Sequence, residues 1–137
     1  MGGPLIVSRG QLHDASELPA FIAWRGSERV GLSTYRLEGE ACELVSLDSL
    51  YPNQGIGTAL TVAVADAARR AGCRRLWLIT TNDNLPALRF YQRRGFVLAA
   101  LHVDAVAASR RLKPTIPLLG WAGIPIRDEI ELELQLA

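Results

Sequence analysis

The sequence is poor in lysine, cysteine and long apolar runs, and it carries almost no excess charge. Lys113 is the only lysine among fifteen basic residues, set against fourteen acidic ones for a net charge of +1. That balance excludes a general nucleic-acid or membrane-surface binder, which shows a strong basic excess or a basic stripe. Two cysteines, Cys42 and Cys73, are too few for a disulfide scaffold or a four-cysteine zinc site. With no CxxC and no Cys/His cluster, no metal is expected, and both thiols read as small buried residues in a reducing compartment. No apolar stretch reaches the roughly 18 residues that span a bilayer. The start, Met1-Gly2-Gly3-Pro4-Leu5-Ile6, lacks the charged head and apolar core of a signal peptide, and Ile6 stands where a myristoylation motif wants Ser or Thr. These absences predict a cytoplasmic protein with no membrane and no nucleic-acid partner.

What is present is the material of one globular domain. The 137 residues are 49% apolar and 21% charged, enough to bury about two-thirds of the unfolded surface around a real core. Residues 1–17 are Gly-rich and polar and predict a loosely ordered N-terminus. Leu18–Trp24 and Arg29–Leu37 read as strands joined by Arg25-Gly26-Ser27-Glu28, and Ala41–Leu50 as a third after a Glu38-Gly39-Glu40 turn. Thr58–Ala71 predicts a helix ended by Gly72, Arg75–Thr81 a strand covered on both faces, and Leu85–Arg94 a second helix with Pro86 in its first turn and Gly95 at its end. A strand over 96–103, a short helix over 104–112 and a long ordered loop over 113–127 follow. From Glu129 to Leu136 the sequence alternates strictly, which predicts an antiparallel strand with Ile130, Leu132, Leu134 and Leu136 inward and Glu129, Glu131, Glu133 and Gln135 in solvent. The order describes an α+β fold: a mixed, mostly antiparallel sheet with helices packed on it.

Chemistry concentrates in two segments. Gln54-Gly55-Ile56-Gly57-Thr58-Ala59 joins a strand end to a helix start. Glycines there let the backbone approach a ligand, and the first helical N–H groups have no intrahelical partner, so the turn suits phosphate oxygens. It is not a Walker loop, since the GK[ST] lysine and hydroxyl are missing, nor a Rossmann fingerprint, since no third glycine follows. The second segment is Asn84-Leu85-Pro86-Ala87-Leu88-Arg89-Phe90-Tyr91-Gln92-Arg93-Arg94-Gly95-Phe96.

Together these segments resemble the GNAT N-acetyltransferase superfamily, whose acetyl-CoA motif runs Gln/Arg-x-x-Gly-x-Gly/Ala and then Asn-x-x-Ala-x-x-Phe-Tyr-x-x-x-Gly-Phe. Asn84, Ala87, Phe90, Tyr91, Gly95 and Phe96 match the second part, and the resemblance covers roughly residues 18–103. It implies an acetyl-CoA-dependent enzyme that moves the acetyl group directly from the thioester to an amine, on a small molecule or a protein. The resemblance places Gln54, Gly55, Ile56, Gly57, Thr58 and Ala59 around the pyrophosphate and Leu47, Asp48, Ser49 and Leu50 beside the pantetheine arm. Asn84 and Ala87 then serve the arm from the second helix. It makes Tyr91 the acid that protonates the leaving thiolate, a role suited to a phenol with an ordinary pKa of about 10.

Two departures stand out. Pro52 occupies the position where the family has Gln or Arg, which removes one side-chain phosphate contact and puts CoA affinity in question. Only about 17 residues precede the first expected strand, where the family has a strand and two helices. A minimal form, a partner filling the gap and a start further upstream all remain open.

A lysine-like amine, with a pKa of about 10.4, must lose its proton before it attacks, a cost of roughly 4.6 kcal/mol at neutral pH. Glu43 and Asp48 lie on the strand that supplies the base in many relatives, and Glu43 is the chosen candidate. His13 and His102 titrate in a suitable range but read as structural, and Arg127-Asp128-Glu129 reads as a solvated strand entry. Neither cysteine lies in the motifs, which argues against a thioacyl intermediate. The tail from Ser109 onward resembles an uncharacterised bacterial GNAT subgroup. Rival readings are a catalytically inactive CoA-binding regulatory module and a purely structural domain with no CoA affinity. A homodimer through the edge of strand 129–136 is also an expectation.

Overall fold

A computed structural model of the chain describes residues 5–136. Contacts group the chain into two compact units: Asp14–Trp77 with the short terminal stretches, and Leu78–Leu134 with Val7–His13. At the beginning, β1 (Leu5–Ser8) and β2 (Gln11–Asp14) form a two-stranded sheet. They turn through Arg9 and Gly10, both at positive φ, which suits the right-handed twist of a two-residue hairpin. A single 3-10 turn, Ala15–Glu17, follows, with the Asp14 carboxylate accepting from the Ser16 amide at 3.0 Å. These elements fall within the stretch 1–17 read from sequence as loosely ordered, of which residues 1–4 lie outside the described residues. The hairpin signal is weak because Arg-Gly replaces the usual Asn-Gly or Asp-Gly.

The first unit is built on β3 (Ala20–Arg25), β4 (Glu28–Glu38) and β5 (Ala41–Ser49), an antiparallel meander. Gly26 and Gly39, both at φ +60°, make its turns. The register of β4 on β5 shifts once: Thr34 faces Ser46 and Tyr35 faces Leu44, so Val45 is the extra residue of a β-bulge. β5 then pairs in parallel with β6 (Arg75–Thr81), through Ala41–Arg75, Cys42–Leu76 and Glu43–Trp77. The crossover between them is α1 (Ile56–Arg70), which buries Leu60, Thr61, Val64, Ala65 and Ala68. α1 ends in a Schellman arrangement: the Gly72 amide donates to Arg69 and the Cys73 amide to Ala68, with Gly72 at φ +84°.

In the second unit β6 leads to α2 (Leu85–Gln92), then β7 (Val97–His102), α3 (Val106–Leu112) and β8 (Glu129–Gln135). β7 and β8 pair antiparallel, with Leu132 and Val106 nearly fully buried. The hydrogen-bonded order of the large sheet is β3-β4-β5-β6-β8-β7, a mixed sheet of the predicted α+β type.

Strand β8 corrects two expectations. On the face expected in solvent, Glu129 is buried and Glu131 and Glu133 are half-buried, while Gln135 is exposed as expected. Glu129 is 3% exposed and accepts from the Ser109 hydroxyl of α3 at 2.8 Å, and Glu131 meets the His102 ring at 3.1 Å. β8 also lies between β6 and β7 and offers no open edge for a dimer; the sheet's edges are β3 and β7. Alternation reports that a strand has two unlike faces, and it carries no information on what covers either face or on which strands flank it.

Gly31 sets how closely α1 approaches β4. A Cβ there would lie 2.7 Å from Ile56 Cγ2, 2.9 Å from Leu60 Cδ1 and 3.1 Å from the Asp48 carbonyl. Gly31→Ala is therefore expected to lower stability by about 1–3 kcal/mol through overpacking. Urea denaturation reads this as a lower midpoint at an unchanged slope, and an unchanged midpoint contradicts the packing described.

Candidate acetyl-transfer site

The strand-to-helix turn after β5 is where backbone chemistry is most available. Leu50 donates its amide to the Val30 carbonyl at 2.9 Å, which pairs these two residues across the β4–β5 ladder. Polar backbone groups alternate along an antiparallel strand. Asp48 and Leu50 therefore turn theirs toward β4, and Leu47 and Ser49 turn theirs to the other edge of β5. On that edge the ladder with β6 covers Ala41–Glu43 only. Of the stretch Leu47–Leu50 expected to run beside an extended ligand, it is Leu47 and Ser49 that carry outward-facing N–H and C=O groups.

Pro52, Asn53, Gln54 and Gly55 are exposed. Gly55 caps α1 in the left-handed region at φ +80°, ψ 0°, and contributes no side chain, so no side-chain cap bond closes the helix start. The first intrahelical bond runs from the Ala59 amide to the Gly55 carbonyl at 3.0 Å. The amides of Ile56 and Gly57 precede it and have no acceptor within the helix. No acidic residue lies in that first turn. Aligned peptide dipoles in a helix of 15 residues add a partial positive charge at this end. The turn is thus an open, uncapped, acid-free cradle whose chemistry fits the anionic pyrophosphate of a CoA-type ligand.

Four side chains interact around the turn in the first unit, those of Arg25, Tyr51, Gln54 and Glu28. The Arg25 guanidinium, at the end of β3, lies over the Tyr51 ring with its carbon 4.8 Å from the centroid, and Nη2 donates to Gln54 Oε1. The Tyr51 hydroxyl donates to the Glu28 carboxylate, 3.0 Å from each oxygen. That hydrogen bond to Glu28 holds the Tyr51 phenol above its ordinary pKa. Arg25 and Gln54 are 29 residues apart, and nothing in the local sequence of either announces the other.

Glu43, expected as the general base, is 2% exposed and forms an ion pair with Arg36 Nη2 at 3.2 Å. The two face each other across β4 and β5, and Arg36 also bonds Glu38. Glu43 lies on the stretch of β5 still paired to β6, about 13 Å along the strand from Leu47 at ~3.3 Å per residue. Asp48, the other acid of β5, is half-buried.

The second unit carries the other motif. Asn84 caps α2, its Oδ1 accepting from the Ala87 amide at 3.2 Å, with Pro86 in the first turn. At the far end Gly95, at φ +96°, makes a second Schellman turn, and the Tyr91 carbonyl accepts from the Phe96 amide at 3.1 Å. The Tyr91 ring is buried and stacks edge-on against Phe90 and Phe96, with centroids 5.1 and 5.4 Å apart. Packing on two sides fixes its rotamer. The long loop before β8 is tied to the end of β6 by Asn82, which accepts from the Arg127 and Asp128 amides and donates to the Pro125 carbonyl. The buried Asp83 carboxylate accepts from the Trp121 amide at 3.1 Å. Among the described residues no group of three or more His, Cys, Asp or Glu is arranged to hold a metal ion.

A model of the Acetyltransferase (GNAT) family matches residues 4–96, a span that contains both the turn and α2. The chain belongs to that family. It is a GNAT-type N-acetyltransferase. An uncharacterised protein of Bacillus subtilis, YdhI, is 47% identical over 130 residues, 94% of this chain and 81% of that protein. A Bacillus subtilis acetyltransferase solved in complex with CoA superposes with a TM-score of 0.74 at 24% identity, over 86% of this chain and 76% of that one. A GNAT acetyltransferase from Elizabethkingia anophelis, solved with acetyl-CoA bound, gives a TM-score of 0.74 at 23% identity, over 88% and 77%. These likenesses establish the GNAT fold, a mixed six-stranded sheet with helices.

Burial, the neighbouring Cys73 and the Glu43 carboxylate together push the Cys42 thiol up to about 12. The sign is unambiguous: a raised pKa keeps the thiol protonated at every pH below it, and only the thiolate is a nucleophile. The native protein is expected to leave Cys42 unlabelled by iodoacetamide at pH 8 and to react fully only in denaturant. Native-state alkylation of Cys42, read by peptide mass, contradicts the assignment.

Proposed function

We propose that this chain binds acetyl-CoA through the β5–α1 turn and transfers the acetyl group directly to an amine, with Tyr91 as the proton donor. The observation that carries this reading is the turn itself: a left-handed Gly55 opening an uncapped helix with no acid in its first turn. It follows a strand whose Leu47 and Ser49 backbone groups face away from β4. When bound, acetyl-CoA supplies an activated thioester, and the chain's own groups supply its placement. The amides of Ile56 and Gly57 receive pyrophosphate oxygens, with Gln54, Thr58 and Ala59 flanking them. Leu47 and Ser49 pair with the amides of the pantetheine arm as a neighbouring strand would, and Asp48 and Leu50 hold that strand in place through β4. Asn84 and Ala87 serve the same arm from the start of α2. There the Asn84 cap spends its oxygen on the helix and retains its NH2 group as a donor.

Acyl transfer to nitrogen forms a C–N bond and breaks the C–S bond, and the sulfur leaves needing a proton. Tyr91 holds that proton on a rotamer fixed by Phe90 and Phe96. The acceptor reacts as the free amine, and its proton leaves through solvent water. The ion pair of half-buried Arg36 with buried Glu43 serves to lock β4 to β5 below the turn. The acceptor is an amine of a small molecule or a protein.

The test pairs calorimetric titration of acetyl-CoA with an assay of thiol release over a panel of amines. Tyr91→Phe keeps the ring packing and removes the proton, and it is expected to lower kcat about 100-fold or more while acetyl-CoA affinity stays within twofold. Undiminished turnover by Tyr91→Phe overturns the role of Tyr91, and no heat on titration of the parent chain overturns the binding site.

A further inference from the structure

The motif position that in this family carries Gln or Arg beside the cradle is Pro52, which has neither an N–H nor a polar side chain. The cradle is left with backbone amides and a partial helix charge, which is little to set against two phosphate charges. The structure fills that gap from another element. Arg25 closes β3 at the turn into β4, and its guanidinium lies over the ring of Tyr51, one residue before Pro52. Its Nη2 donates to Gln54, the residue immediately before the left-handed Gly55. Tyr51 is in turn held by Glu28, so the platform on which Arg25 rests is anchored at its far end.

We infer that Arg25 is a binding residue for the pyrophosphate of the acyl donor, replacing in space the side-chain contact that Pro52 removes. The inference rests on the acetyl-CoA reading above and adds to it a residue outside the sequence motif. A guanidinium has five N–H donors in a planar fork, and the bond to Gln54 uses one of them. The remaining donors suit a two-bond contact to phosphate oxygens, which a lysine cannot reproduce. The same bond orders Gln54. Its carbonyl oxygen is committed to Arg25, so its NH2 group is the part left to turn toward an anion in the cradle. The contacts with the Tyr51 ring and Gln54 restrain the arginine side chain before any ligand arrives, which reduces the entropy lost on binding. Glu28, the cross-strand partner of Arg25, accepts from the Tyr51 hydroxyl, which lies 3.0 Å from each of its oxygens.

The experiment is calorimetric titration of CoA and of dephospho-CoA, which lacks only the 3′-phosphate, into the parent chain, Arg25→Ala and Arg25→Lys, with a thermal melt of each. Arg25→Ala is expected to weaken both ligands about tenfold, the loss of one charge-assisted contact, and to narrow that difference as salt rises. Arg25→Lys is expected to fall between the two. Parental affinity in Arg25→Ala overturns the inference. A loss confined to CoA also overturns it, because the contact would then be to the 3′-phosphate. Should the melt show Arg25→Ala unfolded, parental affinity in Arg25→Lys overturns the two-bond contact. If the parent chain binds neither ligand, the acetyl-CoA reading itself has failed, a result distinct from equal binding by parent and variant.

Discussion

The reversal of backbone hand at Gly55 is the constraint on which the site depends. β5 must end, turn and become α1 within a few residues, and the left-handed conformation at φ +80° is open to glycine at little cost. With a side chain there, the helix start would be strained or would acquire a cap that occupies the first amides. Because the cap is glycine, those amides stay directed outward with the helix dipole behind them. Nearly every other feature of the first unit serves to keep that turn in place.

The packing shows how. α1 lies close on the sheet because Gly31 presents no Cβ to Ile56 and Leu60, and the Schellman turn at Gly72 feeds the chain straight into β6. The β-bulge at Val45 resets the register of β5 above the ion pair of Arg36 with buried Glu43. Beyond it the strand pairs with β4 through Asp48 and Leu50, while Leu47 and Ser49 face the other way. The same device recurs in the second unit, where Gly95 ends α2 and the Phe96 amide holds the carbonyl of Tyr91 while two aromatic rings hold its side chain.

Much of this is legible in the residues. The apolar run Arg75–Thr81 can only be a strand covered on both faces, and it is β6. The glycines at 72 and 95 mark both helix ends. The turn and the Asn84–Phe96 segment suffice to identify the family. Three features were not legible, each for a stated reason. The hairpin over β1 and β2 turns on Arg9-Gly10, a pair with little turn signature. Glu129 stands in an alternating pattern that looks half-exposed, and the α3 residue Ser109 that meets it is 20 positions away. Arg25 reaches Gln54 only because β3 and the end of β5 are brought together by β4, a relation between strands rather than between neighbours in sequence. Local pattern determines elements; it does not determine which side chains those elements deliver to a common place.

The central claim is that the acyl donor is received by the backbone amides of the β5–α1 turn, with Arg25 added to them as a side-chain contact. Amide hydrogen exchange with and without acetyl-CoA tests it most directly. Protection is predicted to rise in residues 47–59, strongest at Ile56 and Gly57, and in the Asn84–Tyr91 segment, with the β7–β8 hairpin unchanged. Binding without slowed exchange in 47–59 would contradict the account, because the ligand would then be held elsewhere on the chain.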